Sequence, residues 1–153
     1  MRKKDKKIKD REEIEEILFS NKICRIALSG EDNPYIVPIN YGYKKNKIFL
    51  HTGIIGKKID MIKKNNRVCF EVSDSIEELR SEKACDFSTK YRCVIGFGII
   101  KIVEDLDRKK EALQILMEQH TDEKSWQFSD EIVKKTMILE IEIESITGKK
   151  SGF

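Results

Sequence analysis

No apolar run in this 153-residue chain approaches the roughly 20 residues needed to span a bilayer, and the N-terminus, M-R-K-K-D-K-K-I-K, lacks the apolar stretch of a secretion signal. A cytosolic protein with no membrane partner is expected. Charge of one sign is also missing: 30 Lys and Arg against 27 Asp and Glu leave a net +3, although charged residues make up 37% of the chain. Such a surface is well solvated without the positive excess of a dedicated nucleic-acid binder, so no nucleic-acid partner is expected. Cysteine and histidine are scarce. Cys24, Cys69, Cys85 and Cys93 show no C-x-x-C spacing, and neither His51 nor His120 lies near two cysteines in sequence, so no metal site is expected. Cys24 and Cys69 sit in apolar strand-like runs, where a reduced thiol behaves as a small hydrophobe. No G-x-G-x-x-G follows the first strand-like run, and no base–nucleophile pair or carboxylate dyad is visible. A doubly wound dinucleotide fold, hydrolysis and acyl transfer therefore have no support.

What is present reads as one domain, since the length suffices for a single real core and not for two ordinary ones. Residues 1–9 form a basic segment expected to be a frayed, solubilising tail. Asp10 with Glu13 makes a capping pattern, and Ile14, Ile17 and Leu18 recur at helical spacing, which predicts a helix over 11–20. I-C-R-I-A-L at 23–28 predicts a strand with Arg25 on the face opposite Cys24 and Ile26. Strands are also predicted over 35–43, 47–51, the R-V-C-F-E-V run from Arg67, 90–103 and 136–146, and the last alternates apolar with acidic residues. Gly96 and Gly98 within one of these mark a bulge or a close backbone approach. Short helices are predicted from Lys57 to near Asn65 and from Asp105 to His120, the latter capped by Asp107. Residues 73–82 are polar and predict a loop. About six strands with three helices and no strict β-α alternation predict a mainly β fold, an antiparallel barrel with peripheral helices.

The stretch from Val37 to Lys58 carries the functional signal. Val37–Tyr43 and Lys47–His51 read as a hairpin joined by Lys44-Lys45-Asn46, and Pro38, which cannot donate to a ladder, marks an edge or bulge. His51 and Thr52 fall where the second strand runs out. Gly53 and Gly56 follow, and then Lys57-Lys58 open a helix whose apolar residues are Ile59 and Ile62. A hydroxyl, free amides at a helix start and two ammonium groups converging on one point suit a phosphate dianion. The plain alternative is a hairpin followed by a lysine-rich surface helix, with His51 a strand-end histidine.

Five segments in one order, P-Y-I-V-P-I-N-Y-G-Y, I-F-L-H-T-G-I-I-G-K-K-I-D-M-I, R-V-C-F-E-V, A-C-D-F-S-T-K-Y-R-C-V-I-G-F-G and I-E-I-E-S-I-T-G-K-K, resemble the pyridoxamine 5′-phosphate oxidase-related proteins, in particular the group with the nitroimidazole-resistance flavoproteins. The likeness runs from about Asp10 to Gly152. It implies a six-stranded antiparallel split β-barrel over residues 10–150 that forms a homodimer and holds FMN in clefts at the subunit interface. By the same resemblance Val37, Pro38, Ile39 and Asn40 lie along the flavin ring, His51 and Thr52 match the strand-end pair, and Gly56, Lys57 and Lys58 match the phosphate loop. Tyr91, Arg92 and Cys93 match the start of the interface strand, with Cys93 standing where the family often has serine. Trp126 resembles an aromatic that covers the cleft from the other chain, although a lone tryptophan also serves as a plain packing anchor.

Three functions follow from the resemblance. The first is an FMN-dependent oxidoreductase that passes electrons from NAD(P)H to a nitroaromatic or other electrophilic small molecule, with His51 as a proton donor near neutral pH. The second is a non-catalytic module that carries flavin, haem or a pyridoxal compound, in which His51 could be a ligand. The third is a pyridoxamine phosphate oxidase, ranked last because the chain is short and only Lys149 and Lys150 stand near its C-terminus where an arginine and histidine set would be needed.

Overall fold

Alternation of apolar and polar residues decides which strands can line a core. The computed structural model describes residues 4–30, 33–123 and 125–153. In β2 (Ile23–Leu28), Cys24, Ile26 and Leu28 are buried while Ile23 and Arg25 are exposed, as their alternation requires. The other long strands are β3 (Tyr35–Lys44), β4 (Lys47–Thr52), β5 (Arg67–Leu79), β6 (Ser88–Val103) and β7 (Met137–Ser151). They pair antiparallel in the order β7-β4-β3-β2-β5-β6, and a further β6–β7 pairing closes the ring. The result is the mainly β, six-stranded split barrel that the sequence predicted. Closure removes most of the exposed edge that an open sheet of this size would carry.

Among the described residues four α-helices attach to the barrel. In α1 (Arg11–Ser20), Asp10 accepts a hydrogen bond from the Glu12 amide at 3.0 Å, and Ile14, Ile17 and Leu18 enter the core. Tyr41 of β3 is fully buried and donates its hydroxyl proton to the Leu18 carbonyl at 2.6 Å, tying wall to helix. The helix α2 (Lys57–Lys64) buries Ile59, Met61 and Ile62. The helix α3 (Leu106–His120) presents Ala112, Ile115 and Leu116 to Phe49, Val103 and Ile138 in a second apolar cluster. Its cap is Asp105, whose carboxylate accepts from the Arg108 amide at 2.8 Å, and not Asp107, which falls one residue inside the helix. The short α4 (Asp130–Lys135) was not anticipated. It buries only Val133, too little for a visible apolar period.

Several boundaries differ from expectation where too few buried residues mark a period. Of the nine residues read as a frayed tail, 1–3 lie outside the described residues, but Lys7–Ile8 form β1, paired with Gly148–Lys149 of β7. Ile8 is 1% exposed, a single apolar residue among lysines that only the fold reveals as core. Residues 73–79, expected in a loop, continue β5 and pair with β6 past an irregularity between Asp74 and Glu77. This ribbon projects beyond the core, so its exposed residues show no alternation. The Lys44-Lys45-Asn46 connection tightens to a two-residue turn, with Lys45 at φ 49° and Asn46 at φ 62° and Lys44 already paired with Lys47. The β6–β7 register shifts between Phe97 and Gly98, where a Cβ on Gly98 would lie 2.2 Å from the Glu142 carbonyl oxygen. That close approach is what the glycine permits.

Candidate functional site

The barrel wall opens beside β3. Pairing of β3 with β4 begins at Lys44–Lys47 and ends at Tyr41–Leu50. Beyond that point residues 35–40 pair only with β2, and His51 and Thr52 pair only with Ile138 and Met137 of β7. The two strands diverge, leaving one edge of residues 35–40 without a ladder partner. The Tyr41 amide donates to the Lys22 carbonyl at 3.3 Å, which sets the phase of the strand. By alternation the backbone groups of Ile36, Pro38 and Asn40 point away from β2 and into the opening. Pro38 thus sits where no ladder bond is asked of its nitrogen, the edge position its chemistry requires.

Side chains divide along the same segment. Tyr35, Val37 and Ile39 pack against the core, while Ile36, Pro38 and Asn40 are exposed. Of the four residues expected along a planar ligand, Pro38 and Asn40 therefore turn their backbone groups to the opening and keep their side chains exposed on the outer face. Val37 and Ile39 turn their side chains inward and their amides toward β2, so they shape the edge from behind. Ile36 was missed by sequence reasoning; it is 63% exposed and its amide faces the opening. Its signal was parity with Pro38 once Pro38 was placed at an edge.

At the other side of the opening, His51 is exposed and Thr52 half-buried. Gly56, at φ 129° and ψ 166°, turns the chain into α2 through a conformation that only glycine adopts readily. No side chain caps this helix and the Ile59 and Asp60 amides turn to the Gly56 carbonyl, so the Lys57 and Lys58 amides and the positive end of the dipole are left for an external anion. Lys57 is exposed and places Nζ 5.0 Å from the centre of the Tyr35 ring, which links the helix start to the beginning of β3. Tyr35 is a second residue that sequence reasoning missed. Lys58 is half-buried, and desolvation by burial lowers its pKa. Among the described residues neither lysine has a carboxylate partner. A partly desolvated, unpaired ammonium beside an uncapped helix start fits a phosphate.

The remaining predicted residues lie elsewhere in the protomer. Tyr91 and Cys93 share the outer face of β6, with the Lys149 ammonium 5.3 Å from the Tyr91 ring centre. Cys93 is three strands from Asn40, about 14 Å at ordinary strand spacing. Arg92 points to the opposite face, where it binds Asp74 through two bonds of 3.0 Å and reaches Glu16 at 3.2 Å. With both carboxylates engaged and its side chain 15% exposed, Arg92 fastens α1 to the β5–β6 ribbon. Trp126 is half-buried and its amide donates to the Gln114 side chain of α3 at 3.2 Å. Its indole N–H is buried with no partner among the described residues. The cysteines are all free, and burial pushes the Cys24 thiol up to about 12, which keeps it inert. His120 meets the Tyr41 carbonyl at 3.2 Å, and among the described residues no group of His, Cys, Asp or Glu is arranged to hold a metal.

Outside the opening, one row across the barrel wall is apolar: Ile36, Ala27, Cys69 and Phe97 lie side by side on β3, β2, β5 and β6. Phe97 is 51% exposed and Ile23 and Ile95 extend the patch, with the Arg25–Glu71 ion pair at 3.1 Å beside it.

A family model described as pyridoxamine 5′-phosphate oxidase matches residues 10–150. The solved structure of a candidate 5-nitroimidazole antibiotic resistance protein from Bacteroides thetaiotaomicron superposes with a TM-score of 0.85 at 30% identity, covering 94% of this chain and 86% of that one. The FAD- and heme-binding protein of Mycobacterium smegmatis superposes at 0.87 with 17% identity over 97% of this chain and 74% of that one, which shows a shared fold. An uncharacterised protein of Rhizobium meliloti is 29% identical over 68 residues, and that match spans 44% of each chain. Sequence and barrel agree, and the chain belongs to the pyridoxamine 5′-phosphate oxidase family.

Proposed function

We propose that this protein is an FMN-binding oxidoreductase that works as a homodimer and reduces nitroaromatic or other electrophilic small molecules with electrons from NAD(P)H. The observation that carries the reading is the opening beside β3. Free backbone groups at one end and an uncapped, lysine-bearing helix start at the other match the two ends of one cofactor. The described donor set suits it: Ile36 and Asn40 offer amides to the polar edge of a ring, while Thr52, Lys57, Lys58 and the α2 amides meet a phosphate. When bound, the flavin supplies hydride and electron transfer. The chain's own part is to hold the ring edge, neutralise charge at the phosphate and leave the outer face of the ring open to a flat substrate. His51 stands exposed at the end of β4 beside the opening, where it can hand a proton to a substrate bound there.

The apolar row through Ile36 and Phe97 supports a second copy of the chain as the partner. An isologous contact there would bring the edge of β3 and the Tyr91–Cys93 face of β6 to a shared cleft, with Trp126 contributed across it. Phe97→Asp should then convert dimer to monomer in light scattering. The cytoplasm is the location that an NAD(P)H-dependent reductase requires.

The purified protein should be yellow, or become so with added FMN, and NADH or NADPH should bleach it without oxygen. A stable flavin complex that neither donor bleaches leaves the carrier reading, and a protein that binds no flavin rejects both. His51→Gln should retain FMN within a few-fold while changing the pH profile of turnover; an unaltered profile removes His51 from the chemistry.

A further inference from the structure

The turn between β3 and β4 carries Lys44, Lys45 and Lys47 within four positions. Together with Arg108, in the first turn of α3, these lysines surround a cleft of about 250 Å³ that the buried side chains of Phe49 and Ile115 close from below. The Arg108 guanidinium lies over the Phe49 ring, 5.0 Å from its centre, so one face of it is already held.

A single carboxylate fixes two of the four cations from behind. Glu140 of β7, its side chain only 12% exposed, accepts from Lys47 and also from Nε and Nη2 of Arg108, at 3.1 and 2.7 Å. Towards solvent the cleft is short of anions. Lys44 reaches Glu118 only at 3.7 Å, and Lys45 has no carboxylate partner among the described residues. Glu111, half-exposed at the rim, accepts from the remaining guanidinium nitrogen, Nη1, at 2.5 Å. Four cations thus face three carboxylates, Glu111, Glu118 and Glu140, and one positive charge is left over. An exposed ion pair contributes little, so Glu111 can give up its place to a stronger anion. The excess then rises to two, which a phosphate monoester, with a charge of about −1.5 to −2 at pH 7, balances. Lys45 and Lys47 keep further ammonium protons for its oxygens. The volume equals that of roughly eight waters, more than a bare phosphate fills.

We infer that this cleft binds a small phosphate monoester, with Glu111 standing in for the anion in its absence. The site is separate from the opening beside β3. Lys47 begins β4, and His51 lies four residues, about 13 Å, further along it. The inference therefore stands independently of the flavin reading.

Calorimetric titration with glycerol 3-phosphate at constant ionic strength tests it, in the Lys57→Ala, Lys58→Ala double variant so that the start of α2 takes no part. Saturable one-to-one binding should persist there, at least threefold tighter than that of inorganic phosphate. Added to this background, Lys45→Asn, which tolerates the φ of 49° at that position, should weaken binding at least fivefold. Glu111→Gln should tighten it at least threefold by removing the stand-in. Glu78→Gln makes the same charge change on the distant β5–β6 ribbon and should leave the affinity unaltered. Loss of saturable binding in the double variant overturns the site, as does a gain in Glu111→Gln no larger than that in Glu78→Gln. Inorganic phosphate binding as tightly as the ester overturns the monoester assignment.

Discussion

The two halves of β3 show how one strand can serve stability and binding. From Tyr41 to Lys44 it pairs with β4 on one edge, the Lys22 carbonyl and the Gln119 side chain take its amides on the other, and Tyr41 and Tyr43 are buried. From Tyr35 to Asn40 it has only β2, and every second residue is exposed. The change comes within one residue, where β4 leaves β3 to stay with β7. On the closed side the backbone amides are taken by β4, the Lys22 carbonyl and the Gln119 side chain, whereas on the open side they are left for a ligand. The closed half supports the open one, since an unpaired edge keeps its geometry only while the rest of the strand is held.

That contrast can be broken most directly in the core. Leu50 is fully buried on the last β3–β4 pair, so Leu50→Ala should lose about 2–5 kcal/mol in denaturant unfolding. Asn40→Ala, one residue beyond its partner on the open side, should change stability by less than about 0.5 kcal/mol. Comparable losses would mean that the two halves are not mechanically distinct.

The lysines of α2 come next. The double substitution Lys57→Ala with Lys58→Ala should weaken FMN at least tenfold, since charged hydrogen bonds of about 1.5–3 kcal/mol are lost. In the flavin-free protein the same change should leave the melting temperature unchanged or raise it, because Lys58 is half-buried without a partner. Unaltered affinity would reduce both lysines to surface charge.

On the closed side, Glu140 supplies a pH test. Burial raises its carboxyl pKa, but hydrogen bonds from Lys47 and Arg108 outweigh that, and the net shift is downward. A lowered folded pKa stabilises the protein above the unfolded value of about 4.3, and the contribution is lost as pH falls through the folded pKa. Glu140→Gln should cost about 1–2 kcal/mol at neutral pH and flatten the acid limb of the stability curve. A variant with the same acid limb would exclude this carboxylate as its source. The smallest effect is expected at Pro38. Its nitrogen faces the opening, so Pro38→Ala breaks no ladder bond and should shift unfolding by under about 0.5 kcal/mol, a value that thermal melts can bound.

Much of this was legible in the chain. Cys24, Ile26 and Leu28 announced their strand because one face of it is buried, and Pro38 announced an edge because proline has no proton to donate. Gly98 announced a close approach for want of a side chain. Lys57 and Lys58 pointed to an anion before any fold was known. Residues 73–79 were misread because neither face of that ribbon is buried, and Ile8 because one apolar side chain has no period. Nothing in the residues around Arg92 says what holds it. Its engagement by Asp74 and Glu16 depends on residues 18 and 76 positions away.

The sequence by itself determined the six barrel strands in outline and the three longer helices, since each depends on neighbours within a few residues and on periods of two or 3.6. Only the tertiary structure decided where β3 and β4 part, which backbone groups of 36–40 are left unpaired and that Lys45 and Arg108 share a cleft. Those outcomes depend on which strand claims which partner across the closed barrel. That competition is settled by burial of the whole core, and no local stretch of sequence contains it.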